Sequence, residues 1–260
     1  MKKRGLTAPP KSIKGVRAQV TIFIIIGILL VSAILTYFLW AKPTFITEKS
    51  GSLGLENCVE DALEQGIEQL GPTAGFIEPE FTYMHQGEEV QYLCYTSEYY
   101  IPCTIQKSLL VKHFEDQLNN LLFEKINTCY ANSISSLVSQ GYEVIPGEVT
   151  YNTKLDIGTA KIELEAPTKV GSSKFERFIV ELNSPIYELI TITTSILKLE
   201  AKYGNSDTDY FAILYPDYIV EKSEQGEGTK IYTITSKIFQ NKFKFASRSL
   251  VFPPGFNPNN

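Results

Sequence analysis

The side chains with the clearest chemistry in this 260-residue chain are four cysteines, Cys58, Cys94, Cys103 and Cys129. An even number without a Cys-x-x-Cys pair reads as disulfides rather than a zinc site, provided the compartment is oxidising. Three pairings are open to them. His85 and His113 are the whole histidine complement, and neither stands close in sequence to a candidate Ser or Cys nucleophile. No GxxxxGK, GxSxG or HExxH pattern occurs. Asp207-Thr208-Asp209 has the opening spacing of a calcium loop but lacks the Gly and bidentate Glu that complete one, so it reads as a helix cap. Carboxylate pairs of the glycosidase kind meet only in the fold, and 29 acidic residues give no basis for choosing two. Tyr92, Tyr95, Tyr99 and Tyr100 crowd the segment between Cys94 and its neighbours. Ordinary strand packing explains these four, and since tyrosine is favoured at interfaces a candidate aromatic interaction surface is the alternative. No catalytic constellation, metal site or cofactor is expected, and the chain does not read as an enzyme.

Whether the cysteines oxidise depends on where the chain puts them. Before residue 18 stand Lys2, Lys3, Arg4, Lys11, Lys14 and Arg17 and no acid. Setting those six of the 24 basic residues aside leaves the rest of the chain strongly acidic, which argues against a nucleic-acid partner. From Val20 to Trp40 the chain is apolar and uncharged, with Tyr37 and Trp40 at its far end. Such a segment makes roughly 31 Å of helix, the thickness of a bilayer core, with aromatic rings at the interface. A removable secretory signal would be shorter, about 7–15 apolar residues, and would end in small residues. The expectation is therefore a retained span with a cytoplasmic N-terminus and everything after Trp40 outside the membrane. Hydrophobic residues at 43% and charged ones at 20% indicate a packed core there rather than disorder.

The junction Arg17-Ala18-Gln19 followed by VTIFIIIG resembles the class III signal of archaeal type IV pilin-like proteins. The resemblance implies cleavage by a prepilin peptidase after Ala18, with Gln19 as the new N-terminus. The acidic residue that many pilins carry five residues into the mature helix is Phe23 here. More broadly the chain resembles a family of archaeal single-pass proteins, through QVTIFIIIG, through LENCVEDALEQGIEQLGPTAGFI and through KFKFASR near the end. That family brings no activity with it.

The elements that would position these residues follow from periodicity. Pro43 and Gly51, Ser52 and Gly54 make 41–54 a linker, which differs from the continuous helical spine of a filament pilin. Leu55–Leu70 has helical spacing, with Leu55, Cys58 or Val59, Ala62 or Leu63, Ile67 and Leu70 opposite Glu56, Glu60, Asp61, Glu64 and Glu68, and Gly71-Pro72 stops it. The acidic face reads as solvated. A second helix is expected over Gln106–Ser139, striped by Leu110, Phe114, Leu118, Leu121, Leu122, Ile126, Cys129 and Leu137. VQYLCYTSEYYIPCTI between the helices reads as a strand or hairpin. Cys94–Cys103 then closes a local clasp, and Cys58–Cys129 joins the two helices. The chain-entropy relation gives roughly 3 kcal/mol for the short loop and roughly 4 kcal/mol for the long one.

After Gly141 the period changes to two. Val149–Leu155 and Ala160–Ala166 alternate across Asp156-Ile157-Gly158 as an antiparallel hairpin, and Phe178, Val180 and Leu182 suggest a third strand. Ser184-Pro185 opens a helix that ends before Gly204, two strands near 218–222 and 229–235 join through Gly226-Glu227-Gly228, and KFKF suggests a last strand.

The organisation expected is a basic cytoplasmic segment (1–19), a transmembrane helix (20–40), a linker (41–54), a helical part with the cysteine-bounded hairpin (55–140), an antiparallel β-rich part with one helix (141–252) and a flexible tail (253–260). The fold class is α+β. The function expected is surface assembly or interaction, with the bilayer and other envelope or filament proteins as partners. A membrane-tethered solute-binding or sensing domain is the alternative, and an exported hydrolase stands third.

Overall fold

The computed structural model describes residues 25–32 and 54–251. Residues 25–32 are helical and belong to a unit separate from the one formed by the rest of the described chain. Among the described residues, no helix is long and apolar enough to cross a membrane. The rest of the expected span, the linker up to residue 53, Ala18, Gln19 and the tail from 252 lie outside the described residues.

Within the second unit the chain order is α1 (Glu56–Leu70), β1 (Thr82–His85), β2 (Glu88–Tyr99), β3 (Thr104–Ile105), α2 (Leu110–Ser139), β4 (Val144–Ile145), β5 (Thr150–Asp156), β6 (Thr159–Val170), β7 (Ser173–Asn183), α3 (Ile186–Tyr203), α4 (Thr208–Leu214), β8 (Tyr218–Glu224), β9 (Thr229–Ser236) and β10 (Lys242–Leu250). This is an α+β fold with two sheets.

Helix α1 buries Val59, Ala62, Leu63, Ile67 and Leu70, the apolar face its spacing dictates. It packs on α2, which buries Leu110, Phe114, Leu118, Leu122, Ile126 and Cys129 at successive turns. The two helices meet closely at Gly66, where a Cβ would lie 2.7 Å from Leu118 Cδ1. A disulfide joins Cys58 to Cys129, and a second joins Cys94 to Cys103. Cys58 lies on the exposed edge of α1, with Val59 rather than Cys58 turned into the core, whereas Cys129 is buried.

Helix α2 begins at Leu110, later than the Gln106 expected. The preceding residues are taken by the sheet: Cys94 and Tyr95 pair with Ile105 and Thr104, and Gln106 N–H donates to the Leu93 carbonyl at 2.8 Å. Thr104 and Ile105 hold extended backbone in this ladder, so helical dihedral angles begin only after them.

The first sheet has the order β1-β2-β10-β9-β8, with β3 beside β2. It is mixed rather than antiparallel throughout, because β10 runs parallel to β2. It also draws strands from both sides of residue 141, so the helical part and the β-rich part share it. The second sheet is antiparallel: β6 carries β7 along one side and β5 and β4 along the other. Helix α3 touches β10, β9, β2 and β3 of the first sheet and β6 and β5 of the second, while α1 and α2 reach the second sheet. One continuous core results, in which Phe243, Phe245, Tyr232 and Leu93 from the first sheet meet the helices, and Ile162, Leu164, Phe178 and Val180 come from the second.

Beyond the one helix expected in the C-terminal half, the short α4 follows α3. Asp207 caps it, its Oδ1 accepting from Asp209 N–H at 3.0 Å, as the helix-cap reading of that triplet requires. Helix α3 ends at Gly204, whose φ of 71° suits glycine.

Candidate functional site

The helices cover one face of the first sheet, and its other face carries a small separate cluster of Val90, Tyr92, Ile231 and Ala246, with Tyr83 and Tyr95 packed against it. Register explains how this cluster forms. Ala246 stands opposite Tyr92 and also opposite Ile231, while Arg248 stands opposite Tyr95 and also opposite Thr229. Thr229, Arg248 and Tyr95 therefore lie in one row across three neighbouring strands. Between these rows the β2–β10 pairing slips, because Ser247 faces Cys94 and Leu93 is the extra residue. Such a bulge re-aims the side chains around it. Leu93 and Cys94 both join the main core, and Tyr92 and Tyr95, three residues apart, share the outer face.

Four rings converge there. Phe81 lies 5.0 Å from Tyr92 and 4.6 Å from Tyr95 between centroids, Tyr92 and Tyr95 are 5.2 Å apart, and Tyr83 stands 6.4 Å from Tyr92. The contacts are tilted or edge-to-face, the arrangement that ring quadrupoles favour. With Thr229, Arg248 and the Gly226-Glu227 turn, these rings line a concavity of about 490 Å³.

Arg248 gives the concavity its charge. It is 8% exposed, and its guanidinium lies 5.7 Å from the Tyr95 ring centre and 5.9 Å from that of Tyr99. Its Nη1 donates to the Thr96 carbonyl, and among the described residues it makes no ion pair. A guanidinium has five N–H donors and remains charged, and a buried one is normally matched to a carboxylate. The same face of β10 bears Lys244, which pairs with Glu88 at 2.7 Å, and the exposed Lys242. An acidic protein thus presents a basic stripe on one strand. Tyr92 Oη shares a hydrogen bond with Thr229 Oγ1 at 3.0 Å, and burial holds its phenol above the usual range, so it stays a neutral donor and acceptor.

Of the four tyrosines expected as an aromatic surface, Tyr92, Tyr95 and Tyr99 lie on this side. Tyr92 and Tyr95 line the concavity, whereas Tyr99 and Tyr100 are exposed at the end of β2, 6.4 Å apart. The Cys94–Cys103 clasp closes the loop that carries Tyr99 and Tyr100, and Cys103 N–H donates to Ser249 Oγ at 3.2 Å, tying that loop to β10. Phe81, Tyr83, Thr229 and Arg248 were not singled out from sequence. The alternation Lys242, Lys244, Ala246, Arg248 was the one available signal, since it places these four on a single strand face.

The remaining candidates lie elsewhere. His113 is half-buried against the Phe76 ring at 4.3 Å, and burial, then Lys107, push its imidazole below its usual value. His85 ends β1 opposite Glu88. Among the described residues, no group of three or more His, Cys, Asp or Glu is placed to hold a metal ion. A polar network is buried behind the sheet, where the Glu200 carboxylate accepts from Lys230 Nζ at 2.8 Å, Ser247 Oγ at 3.1 Å and Tyr232 Oη. It is sealed in the core and braces the sheet.

No family model matches the chain, and neither a curated protein nor a solved structure matches it.

Proposed function

We propose that this chain is a membrane-anchored surface protein whose disulfide-braced domain, held outside the membrane by the apolar segment of residues 20–40, serves in assembly or interaction through the outer face of its first sheet. The observation that carries the reading is Arg248, buried among aromatic rings on a sheet face that no helix of the described residues covers, and matched to no carboxylate among them. Aromatic residues and Arg are the types enriched where proteins meet their partners. Two disulfides suit an oxidising location. The pilin-like junction at Ala18 and Gln19 fits delivery to the envelope, and the partners are then other envelope or filament components. The tethered solute-binding alternative draws on the same concavity.

The test is mild-detergent extraction of the native protein, followed by isolation of whatever remains bound. Co-isolation of an envelope component that is lost on Tyr95→Ala and Arg248→Met supports the reading. Recovery only as isolated monomers contradicts it.

A further inference from the structure

The geometry points to a specific ligand class for this face: a carboxylate carried on a compact hydroxylated ring, as in a hexuronic acid, bound with its carboxylate on Arg248 and its ring among Phe81, Tyr83, Tyr92 and Tyr95. This rests on the sheet face being the recognition surface proposed above. Three features of the concavity select that chemistry.

The first is the unmatched charge. Arg248 directs one donor to the Thr96 carbonyl and has no other hydrogen-bond partner among the described residues. Its planar fork is shaped for two parallel bonds to a carboxylate, and in so buried a site that pairing is charge-assisted. Tyr95 and Tyr99 hold the guanidinium by cation–π contact, which fixes the fork before a ligand arrives.

The second feature is the walls. Rings inclined to one another at 37° to 79° make a cup that takes the flat face of another ring. The Tyr92–Thr229 hydroxyl pair supplies a donor and an acceptor within the same cup, which suits a ring that carries hydroxyls of its own. The third is size. About 490 Å³ falls within the range of small-molecule sites, and the Gly226–Gly228 turn lies at the edge of the cup, so a compact group fits better than an extended strand. Glu227 on this turn is exposed, so water and salt screen its charge from a bound acid.

A hexuronate can arrive free or displayed on an acidic polysaccharide, and the test separates the two. Calorimetric titration of the full chain in detergent micelles compares sodium glucuronate, an oligouronate, glucose and inorganic sulfate. The expected result is binding of glucuronate at least about tenfold tighter than glucose or sulfate, since only the acid engages both the fork and the ring cup. Binding of the oligouronate without the monomer assigns the ligand to a displayed polysaccharide and also supports the proposal. Arg248→Met should weaken binding roughly 10- to 100-fold. Phe81→Ala, at a wall position 42% exposed, should weaken it while the domain still melts cooperatively, and so serves even where Arg248→Met does not fold. Equal binding of glucose or of sulfate, no binding of either uronate form, or unchanged affinity in both variants overturns the assignment. If neither uronate form binds while partner co-isolation still depends on Arg248, the ligand class falls and the surface reading stands. If co-isolation is independent of Arg248, the surface reading falls instead.

Discussion

Replacing Glu200 by Gln should cost this protein a large part of its stability, and the structure gives the size. Glu200 is fully buried, and its carboxylate takes hydrogen bonds from three side chains on β9 and β10. Lys230 is its charge partner, with only 9% of the side chain exposed and the Gly204 carbonyl as its other acceptor. Glutamine keeps the shape but has one acceptor oxygen where the carboxylate has two, so either Tyr232 or Ser247 must turn its hydroxyl to accept from the amide N–H, and the main loss is the negative charge opposite a buried ammonium. Breaking a buried pair in this way costs about 3–5 kcal/mol. For a domain of this size each kcal/mol moves the melting temperature by about 2–4 °C, which gives a drop of about 6–20 °C. Thermal melts of the full chain in detergent, followed by circular dichroism, measure it. The double variant Glu200→Gln with Lys230→Met removes the stranded charge and should lie well above the single variant. A single-variant loss below about 1 kcal/mol, or a double variant showing the sum of both losses, would refute the reasoning that an unpaired buried charge is the cause.

Three further outcomes follow from the fold. Removing Cys58–Cys129, which spans 71 residues, should cost about 4 kcal/mol, against about 3 kcal/mol for the nine-residue Cys94–Cys103 clasp, and melts of the two paired Cys→Ala variants check that order. Gly71→Ala should destabilise by about 1–3 kcal/mol, because its Cβ would sit 2.1 Å from the Lys242 carbonyl oxygen and backbone rather than a side chain would have to move; urea denaturation tests this, and an unchanged midpoint contradicts it. Tyr151, whose hydroxyl donates to the Asn119 carbonyl, has its phenol pushed up by burial from 10.0 to about 12. Folding holds this proton, so the contribution is complete below pH 10, where the unfolded chain is also protonated, and is lost between pH 10 and about 12. Tyr151→Phe should flatten the fall in stability over that window, and an identical slope in both proteins would exclude Tyr151 as a cause.

Where local pattern decides structure, the residues announce it. The four-residue stripe of α2 and the alternation across Asp156-Ile157-Gly158 both recur at the expected positions, because helix and hairpin periodicities are properties of neighbouring residues. The candidate site was half visible. Tyr92 and Tyr95 stand out as a cluster, but a strict period of two puts residues three apart on opposite faces. The bulge at Leu93 that brings them together arises from pairing with β10, more than 150 residues later in the chain. Arg248 was hidden for the same reason, since its neighbours Tyr95 and Thr229 come from two other strands. Strand β1 leaves a weak local mark, as the Met84-His85-Gln86-Gly87 stretch shows its turn more clearly than the edge strand that leads into it. Parallel pairing of β2 with β10 leaves no local mark at all.

The central claim, that the outer face of the first sheet meets an envelope partner outside the membrane, is tested most directly by photo-cross-linking in intact cells. A photoreactive residue replaces Tyr83, on the wall of the concavity, or Ile157, a 79% exposed position in the β5–β6 turn. The result expected is an adduct with an envelope component from position 83 and none from position 157. No adduct at 83, equal adducts at both positions, or an adduct with a cytoplasmic protein would contradict it.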